Sequence, residues 1–110
     1  GCNMIIEKEN GIHYVDNWAV GTDKNITIAN IRAGTKGLAD YVFNDCSNLT
    51  SVTIPDSVIS IGRGSFRNCS NLKTISYTGT KEQWDSIIKG NYWNYNAGNY
   101  TINYNYKEEN

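Results

Sequence analysis

The stretch FNDCSNLTSV, residues 43–52, recurs as FRNCSNLKTI at residues 66–75. Both copies read Phe-x-x-Cys-Ser-Asn-Leu, 23 positions apart, and each has an aliphatic residue three places after the Leu. A catalytic site is usually built once, whereas a motif that returns at a fixed spacing is typical of stacked structural units. The repeat therefore indicates an architecture before it indicates a chemistry.

The same period of 23 residues organises much of the chain. Asn25, Asn48 and Asn71 share one column, and we expect their side chains to bond backbone groups of the turns. The apolar columns hold Ile26, Leu49 and Leu72; Ala29, Val52 and Ile75; Ile31, Ile54 and Tyr77; Leu38, Ile61 and Trp84. A less regular row before these places Val15 in the column of Leu38. The register predicts about three coils with flanking segments.

Each coil divides into short pieces. Leu49-x-x-Val52-x-Ile54 is an L-x-x-L-x-L stretch, as in leucine-rich repeats of roughly 20 to 29 residues. It predicts a strand, which ends in a turn at Pro55 because Pro lacks an amide donor. A second extended segment follows over residues 58–62, then a single helical or 3₁₀ turn over residues 64–69. The predicted fold is a β-rich α/β solenoid of short parallel strands with helical turns.

The pattern F-x-x-C-x-x-L-x-x-(V/I)-x-(I/Y), with Ser60-Ile61-Gly62 between its copies, covers residues 43–77. It resembles the BspA-type, or treponemal, leucine-rich repeats of bacterial surface proteins. The likeness reaches back to about Tyr14, with Arg32 where the family pattern has Pro and Asp23 where it has Cys. The resemblance implies a non-enzymatic cell-surface or secreted bacterial module for protein interaction or adhesion.

The period breaks after Tyr77. Thr80 and Gln83 form a capping-box pattern, and Trp84, Ile87 and Ile88 follow at helical spacing. We therefore predict a helix from Thr80 to Lys89 that ends at Gly90 and lies over the last coil, with Trp84 in the column of Leu38 and Ile61. Residues 100–106 alternate, which predicts a final strand that pairs with or blunts an open edge. The predicted divisions are an N-terminal flank with a worn first coil over residues 1–22, repeats over 23–77 and a C-terminal cap over 78–110.

Charge and composition exclude several classes of partner. Ten Lys and Arg against eleven Asp and Glu give a formal charge of −1, so no nucleic-acid footprint is present. No apolar run approaches the ~20 residues of a transmembrane segment. Cys2, close to the first residue, fits a lipid anchor, and an unmodified terminal Cys is the alternative. Localisation is predicted to be extracellular or at a bacterial cell surface.

Candidate chemistry is sparse. Cys46 and Cys69 lie at equivalent places in adjacent coils, where we expect buried free thiols, with a disulfide as the alternative. Three Cys and one His, His13, without a Cys-x-x-Cys pair make a poor metal site. The sequence predicts no enzyme, metal or cofactor.

Two binding surfaces are predicted. In each repeat strand the side chains flanking the inward residues should point outward and form a continuous face suited to a protein or extracellular-matrix partner. That face comprises Ile28, Asn30, Ser51, Thr53, Thr74 and Ser76. The alternative is a glycan-binding module that uses the aromatic C-terminal residues Tyr92, Trp93, Tyr95 and Tyr100. Those rings have a second interpretation, in which they cover the open end of the solenoid.

Overall fold

The computed structural model describes residues 5–107, so Cys2 and its predicted anchor lie outside the described residues. Ten short strands and one helix surround a single core. Their bounds are β1 Glu7–Glu9, β2 Ile12–Val15, β3 Trp18–Thr22, β4 Ile28–Asn30, β5 Gly37–Leu38, β6 Ser51–Ile54, β7 Ser60–Ile61, β8 Thr74–Tyr77, α1 Lys81–Ser86, β9 Ile88–Lys89 and β10 Thr101–Asn103.

A four-stranded parallel sheet forms one wall of the solenoid, in the order β10-β8-β6-β4. Ala29, Val52 and Ile75 pair in one row at the 23-residue register and are completely buried. Ile102 continues the row beside Ile75. The solenoid predicted from the repeats is confirmed. The final strand at its edge is also present, but it covers Thr101–Asn103 and not the whole of residues 100–106.

A six-stranded sheet forms a second wall, in the order β1-β2-β3-β5-β7-β9. Its inward row runs through Ala19, Leu38, Ile61 and Lys89. The predicted place of Val15 beside Leu38 is wrong, because β2 and β3 form an antiparallel hairpin in which Val15 pairs with its near neighbour Trp18. The hairpin shortens the distance along the chain, so Ala19 takes that place.

Turns form the third wall, in agreement with the single helical or 3₁₀ turn predicted over residues 64–69. Arg67 donates to the carbonyl of Gly64, and Cys69 donates to that of Phe66, as in successive turns. Asn68 has a φ of 62°, which interrupts a right-handed helix, so the turns do not continue into a longer helix. The left-handed positions recur in three successive turns, with φ of 61° at Tyr41, 59° at Gly64, 60° at Tyr92, 63° at Asp45, 62° at Asn68 and 57° at Asn96.

Polar side chains also stack from coil to coil. Asn68 Nδ2 donates to Asp45 Oδ1 at 2.8 Å, and Asn96 Nδ2 donates to Asn68 Oδ1 at 3.0 Å. In the column singled out from the sequence, the prediction holds only for Asn71, whose Nδ2 donates to the carbonyl of Ser47 at 2.8 Å. Asn25 and Asn48 are exposed, and the structure describes no such side-chain bond for either of them. The longer side-chain ladder therefore lies in the column of Asp45, which sequence reasoning did not select.

Helix α1 begins as predicted but ends early. Both hydrogen bonds of the capping box between Thr80 and Gln83 are present. The helix ends at Ser86 because the backbone of Ile87 is extended and residues 88–89 join the six-stranded sheet as β9. Ile88 is therefore 74% exposed instead of sharing the buried face of Trp84.

Two further predictions for this segment need correction. Gly90 does not end a helix; it lies so close to the preceding coil that an added Cβ would be 2.6 Å from the amide nitrogen of Arg63. Lys89, and not Trp84, pairs with Ile61 at the end of the inward row. Trp84 is nevertheless buried, because it packs from α1 against Tyr77.

The two departures from the family pattern in the first coil have structural causes. The amide of Arg32 donates to the hydroxyl of buried Tyr14 at 3.0 Å, a bond that Pro could not form. The guanidinium of Arg32 lies 4.1 Å from the centre of the Tyr14 ring and pairs with Glu7 at 3.0 Å. Asp23 pairs with His13 at 2.9 Å, where the later coils carry a buried Cys. Through these contacts, Arg32 and Asp23 connect strands β1 and β2 to the chain that follows the hairpin of β2 and β3.

The thiols of Cys46 and Cys69 are free and completely buried, which confirms the predicted core role. Cys69 Sγ donates to the carbonyl of Phe43 at 3.1 Å. Burial raises the pKa of the Cys69 thiol to about 12, with the neighbouring Cys46 thiol adding to the increase. Burial also raises the pKa of Cys46.

We expect neither core thiol to react with iodoacetamide in the native protein at neutral pH, because the reactive species is the thiolate. Both should be alkylated after denaturation without reductant. Mass spectrometry of the digest checks both results, and a peptide pair linked through Cys46 and Cys69 would contradict the assignment.

The same thiols should make the fold sensitive to alkali. An unfolded Cys loses its proton near its ordinary pKa of about 9, whereas folded Cys69 retains the proton to about 12. Since the native state then binds more protons than the unfolded state, the free energy of unfolding should fall as the pH rises from about 9 towards 12. Denaturant titrations of the chain and of Cys69→Ala across that range measure the effect, which should be smaller in the variant.

Candidate functional site

The first candidate surface, called the sheet face below, is the outer side of the four-stranded sheet. It contains the six predicted residues Ile28, Asn30, Ser51, Thr53, Thr74 and Ser76, and β10 adds Thr101 and Asn103. All eight positions lack a charged side chain. Pairing places them in two rows, one from Ile28 to Thr101 and one from Asn30 to Asn103.

The side chains of the sheet face differ in accessibility. Ile28 and Asn30 on the edge strand β4 are exposed, and Thr74 is half-buried. Thr53 and Ser76, however, are only 7% and 6% exposed. They lie on the two central strands, β6 and β8, as do Ser51 and Thr74, which are half-buried. A ligand on this face would therefore contact mainly the edges and the first row.

A polar cleft of about 470 Å³ opens where β4 and β6 end. Asn30 and Thr53 of the sheet face contribute to its lining, together with Arg32 from the following turn. Glu9 and Asn10 of the N-terminal hairpin form part of the opposite side. The sheet face thus has a concave end that the repeat pattern alone did not predict.

The second candidate surface is the aromatic segment, defined as Tyr92, Trp93, Tyr95 and Tyr100. The structure divides it into two groups. Trp93 packs edge-to-face on Phe66 at 6.2 Å and on Trp84 at 5.9 Å, and Tyr100 packs on Trp93 at 6.4 Å. Phe66 in turn stacks on Phe43 at 5.1 Å. Trp93 and Tyr100 therefore extend the aromatic column of the core.

Tyr92 and Tyr95 form the other group of the aromatic segment. Their rings are 69% and 55% exposed and meet edge-to-face with centroids 5.9 Å apart. Arg67 of the preceding coil joins them around a concavity of about 490 Å³. Sequence reasoning did not select Arg67, because it lies outside the aromatic stretch and reaches it only through coil stacking.

His13 is bonded to Asp23 across the N-terminal hairpin. Over residues 5–107, no three or more His, Cys, Asp or Glu side chains converge as metal ligands would. No helix in that range is long and apolar enough to cross a bilayer.

Comparison with known families supports the repeat architecture seen in the structure. The sequence model of the BspA type leucine rich repeat region matches residues 2–107 in six copies. The chain belongs to the BspA-type leucine-rich repeat family. Searches of curated proteins and of solved structures found no significant match. BspA-type repeats are protein-interaction modules and are typically non-enzymatic, in keeping with the extended surfaces of solenoids.

Proposed function

We propose that this BspA-type chain is a non-enzymatic module that binds a protein partner through the sheet face. The proposal rests on one observation: the outward side chains of the four parallel strands form two continuous rows that contain no charged residue. Neutral side chains and two exposed edges suit an extended partner, since such a face contains no charge that would have to be desolvated on binding.

The setting we propose is a bacterial cell surface or the extracellular space, with adhesion to a matrix protein or a neighbouring cell as the role. The family's general association with bacterial surfaces supports this setting. A lipid anchor at Cys2 would hold the module at the membrane. Two segments would act as caps on the repeats: the three N-terminal strands β1 to β3, and the segment after Tyr77.

Glycan binding by the aromatic segment is the second candidate function. The exposure of Tyr92 and Tyr95 favours it, because two large rings remain on the surface although Trp93 and Tyr100 pack inward. Exposed aromatic rings with polar edges are common in recognition sites.

Asn30→Lys tests the sheet face. Asn30 is exposed on β4, so the variant should fold with an unchanged unfolding midpoint. The long charged side chain should obstruct the neutral face and reduce binding to the matrix protein identified on an array by about tenfold or more. Surface plasmon resonance with that protein measures the loss.

Asn17→Lys is the matched control, because Asn17 is also exposed but lies in the turn between β2 and β3. It should bind like the unchanged chain. Equal binding by both variants would remove the sheet face as the interaction surface.

A further inference from the structure

We propose that Arg67, Tyr92 and Tyr95 form a binding site for a carboxylate-bearing saccharide on the turn wall of the solenoid. The inference rests on the second candidate function and specifies its ligand. It also replaces the ligand set expected from the sequence: Trp93 and Tyr100 are excluded from the site by their packing, and Arg67 is included.

Coil stacking brings the three residues together. The amide of Asn68, next to Arg67, donates to the carbonyl of Tyr95 at 2.8 Å, and the amide of Gly64 donates to that of Asn91 at 3.2 Å. These bonds hold the turn that carries Tyr92 and Tyr95 against the turn that carries Arg67. The concavity is therefore part of the repeat architecture.

Arg67 has unused hydrogen-bonding capacity. A guanidinium carries five N–H donors, and the described contact of this side chain is one long bond of 3.4 Å from Nη1 to Asn44 Oδ1. Within residues 5–107, Arg67 forms no ion pair. The nearby carboxylate of Asp45 instead accepts from Asn68 at 2.8 Å and from Asn44 at 3.3 Å. A ligand carboxylate could use the remaining donors in a bidentate pair.

The two tyrosines determine what else the ligand must carry. Their rings stand at 90° to each other and are largely exposed, so they offer an apolar corner with hydroxyl groups at its rim. A pyranose ring has a face of C–H groups and an edge of hydroxyls, which matches both features. A peptide carboxylate would pair with Arg67 but would leave this apolar corner uncovered. A uronic acid satisfies the whole site.

General electrostatic attraction does not account for such binding. The chain has a formal charge of −1, so an anion gains nothing from the protein as a whole. Any preference for a carboxylated sugar over its neutral counterpart must come from a local cation, and Arg67 is the cation that lines this concavity.

Isothermal titration calorimetry on the full chain tests the site with three probes: a galacturonic acid trisaccharide, the corresponding neutral galactose trisaccharide and a triglutamate peptide. The galacturonate probe should bind about tenfold or more tightly than either of the others, the ratio expected for one charge-assisted pair. Arg67→Gln should abolish that preference. Tyr95→Ala and Tyr92→Asn should each weaken binding of the galacturonate probe, with Asn chosen because it tolerates the left-handed backbone of residue 92.

Arg63→Gln is the matched control. Arg63 is exposed one turn earlier in the same coil and is not among the residues lining the concavity, so the variant loses the same charge elsewhere. It should retain the preference for galacturonate, and unchanged unfolding midpoints would show that the variants fold.

Four results would overturn the assignment: no binding of any probe, equal binding of the two trisaccharides, tighter binding of triglutamate, or binding unaffected by Arg67→Gln. Equal binding of both trisaccharides would leave a neutral glycan site standing. The protein-binding proposal is tested separately, because Asn30→Lys alters the sheet face and should not affect the sugar.

Discussion

Trp84→Ala should lower the free energy of unfolding by about 3 to 5 kcal/mol, the range for emptying a large buried aromatic site. Trp84 is 4% exposed and packs edge-to-face on Tyr77 at 5.2 Å and on Trp93 at 5.9 Å. The ammonium of Lys89 lies 4.8 Å from the ring centre. Removing the indole would leave these groups around a cavity at the C-terminal end of the solenoid. Denaturant titration measures the loss.

Trp18→Ala is a useful comparison for Trp84→Ala, because Trp18 is 41% exposed and lies on the outer side of the six-stranded sheet over Gly37. The same truncation there should cost less, since less apolar surface returns to water. An equal loss of unfolding free energy in the two variants would show that Trp84 does not cover the C-terminal end of the core.

Gly62→Ala should destabilise the chain by about 1 to 3 kcal/mol through overpacking. A Cβ at residue 62 would lie 2.5 Å from the amide nitrogen of Asp40 and 2.7 Å from the carbonyl carbon of Ala39. Both are backbone atoms of the preceding coil, so the coils would have to separate. Thermal unfolding of the variant should show the lower midpoint.

Gly21→Ala provides the control for this close approach. Its added Cβ would lie 3.4 Å from the His13 side chain, an ordinary contact distance, and no backbone atom is among its near neighbours. The variant should unfold within about 1 kcal/mol of the unchanged chain, with Ala gaining slightly from a less flexible unfolded state. If both variants behaved alike, coil contact at Gly62 would not be the reason for its glycine.

The repeat register made most of the fold predictable. Each inward row, such as Ala29, Val52 and Ile75, needs only an apolar residue at a constant spacing, and stacking then follows because a single coil cannot bury its own apolar side. The start of α1 was equally predictable, since Thr80 and Gln83 form the capping box through local bonds. The burial of Cys46 and Cys69 followed from the same columns.

Predictions were incomplete or wrong where the chain leaves the constant period. The segment Thr-Ile-Ser-Tyr at residues 74–77 returns as Thr-Ile-Asn-Tyr at residues 101–104, 27 positions later. That similarity could have shown how β10 continues the ladder, but α1 and β9 lie between the two copies and lengthen the interval. The prediction for Val15 was wrong for the opposite reason, because the hairpin before the repeats shortens the interval between equivalent positions.

The sequence by itself determined the coil length, the inward columns, the first turn of α1 and the family, because each depends on residues at constant or short separation. Tertiary structure alone decided that Trp93 packs against the core while Tyr92 remains exposed, and that Arg67 lies beside Tyr92. It also decided that Thr53 is enclosed within the sheet face. Those outcomes depend on how the turns stack after the irregular insertion of α1 and β9. The free energy of that stacking comes from packing between residues that are distant in the sequence.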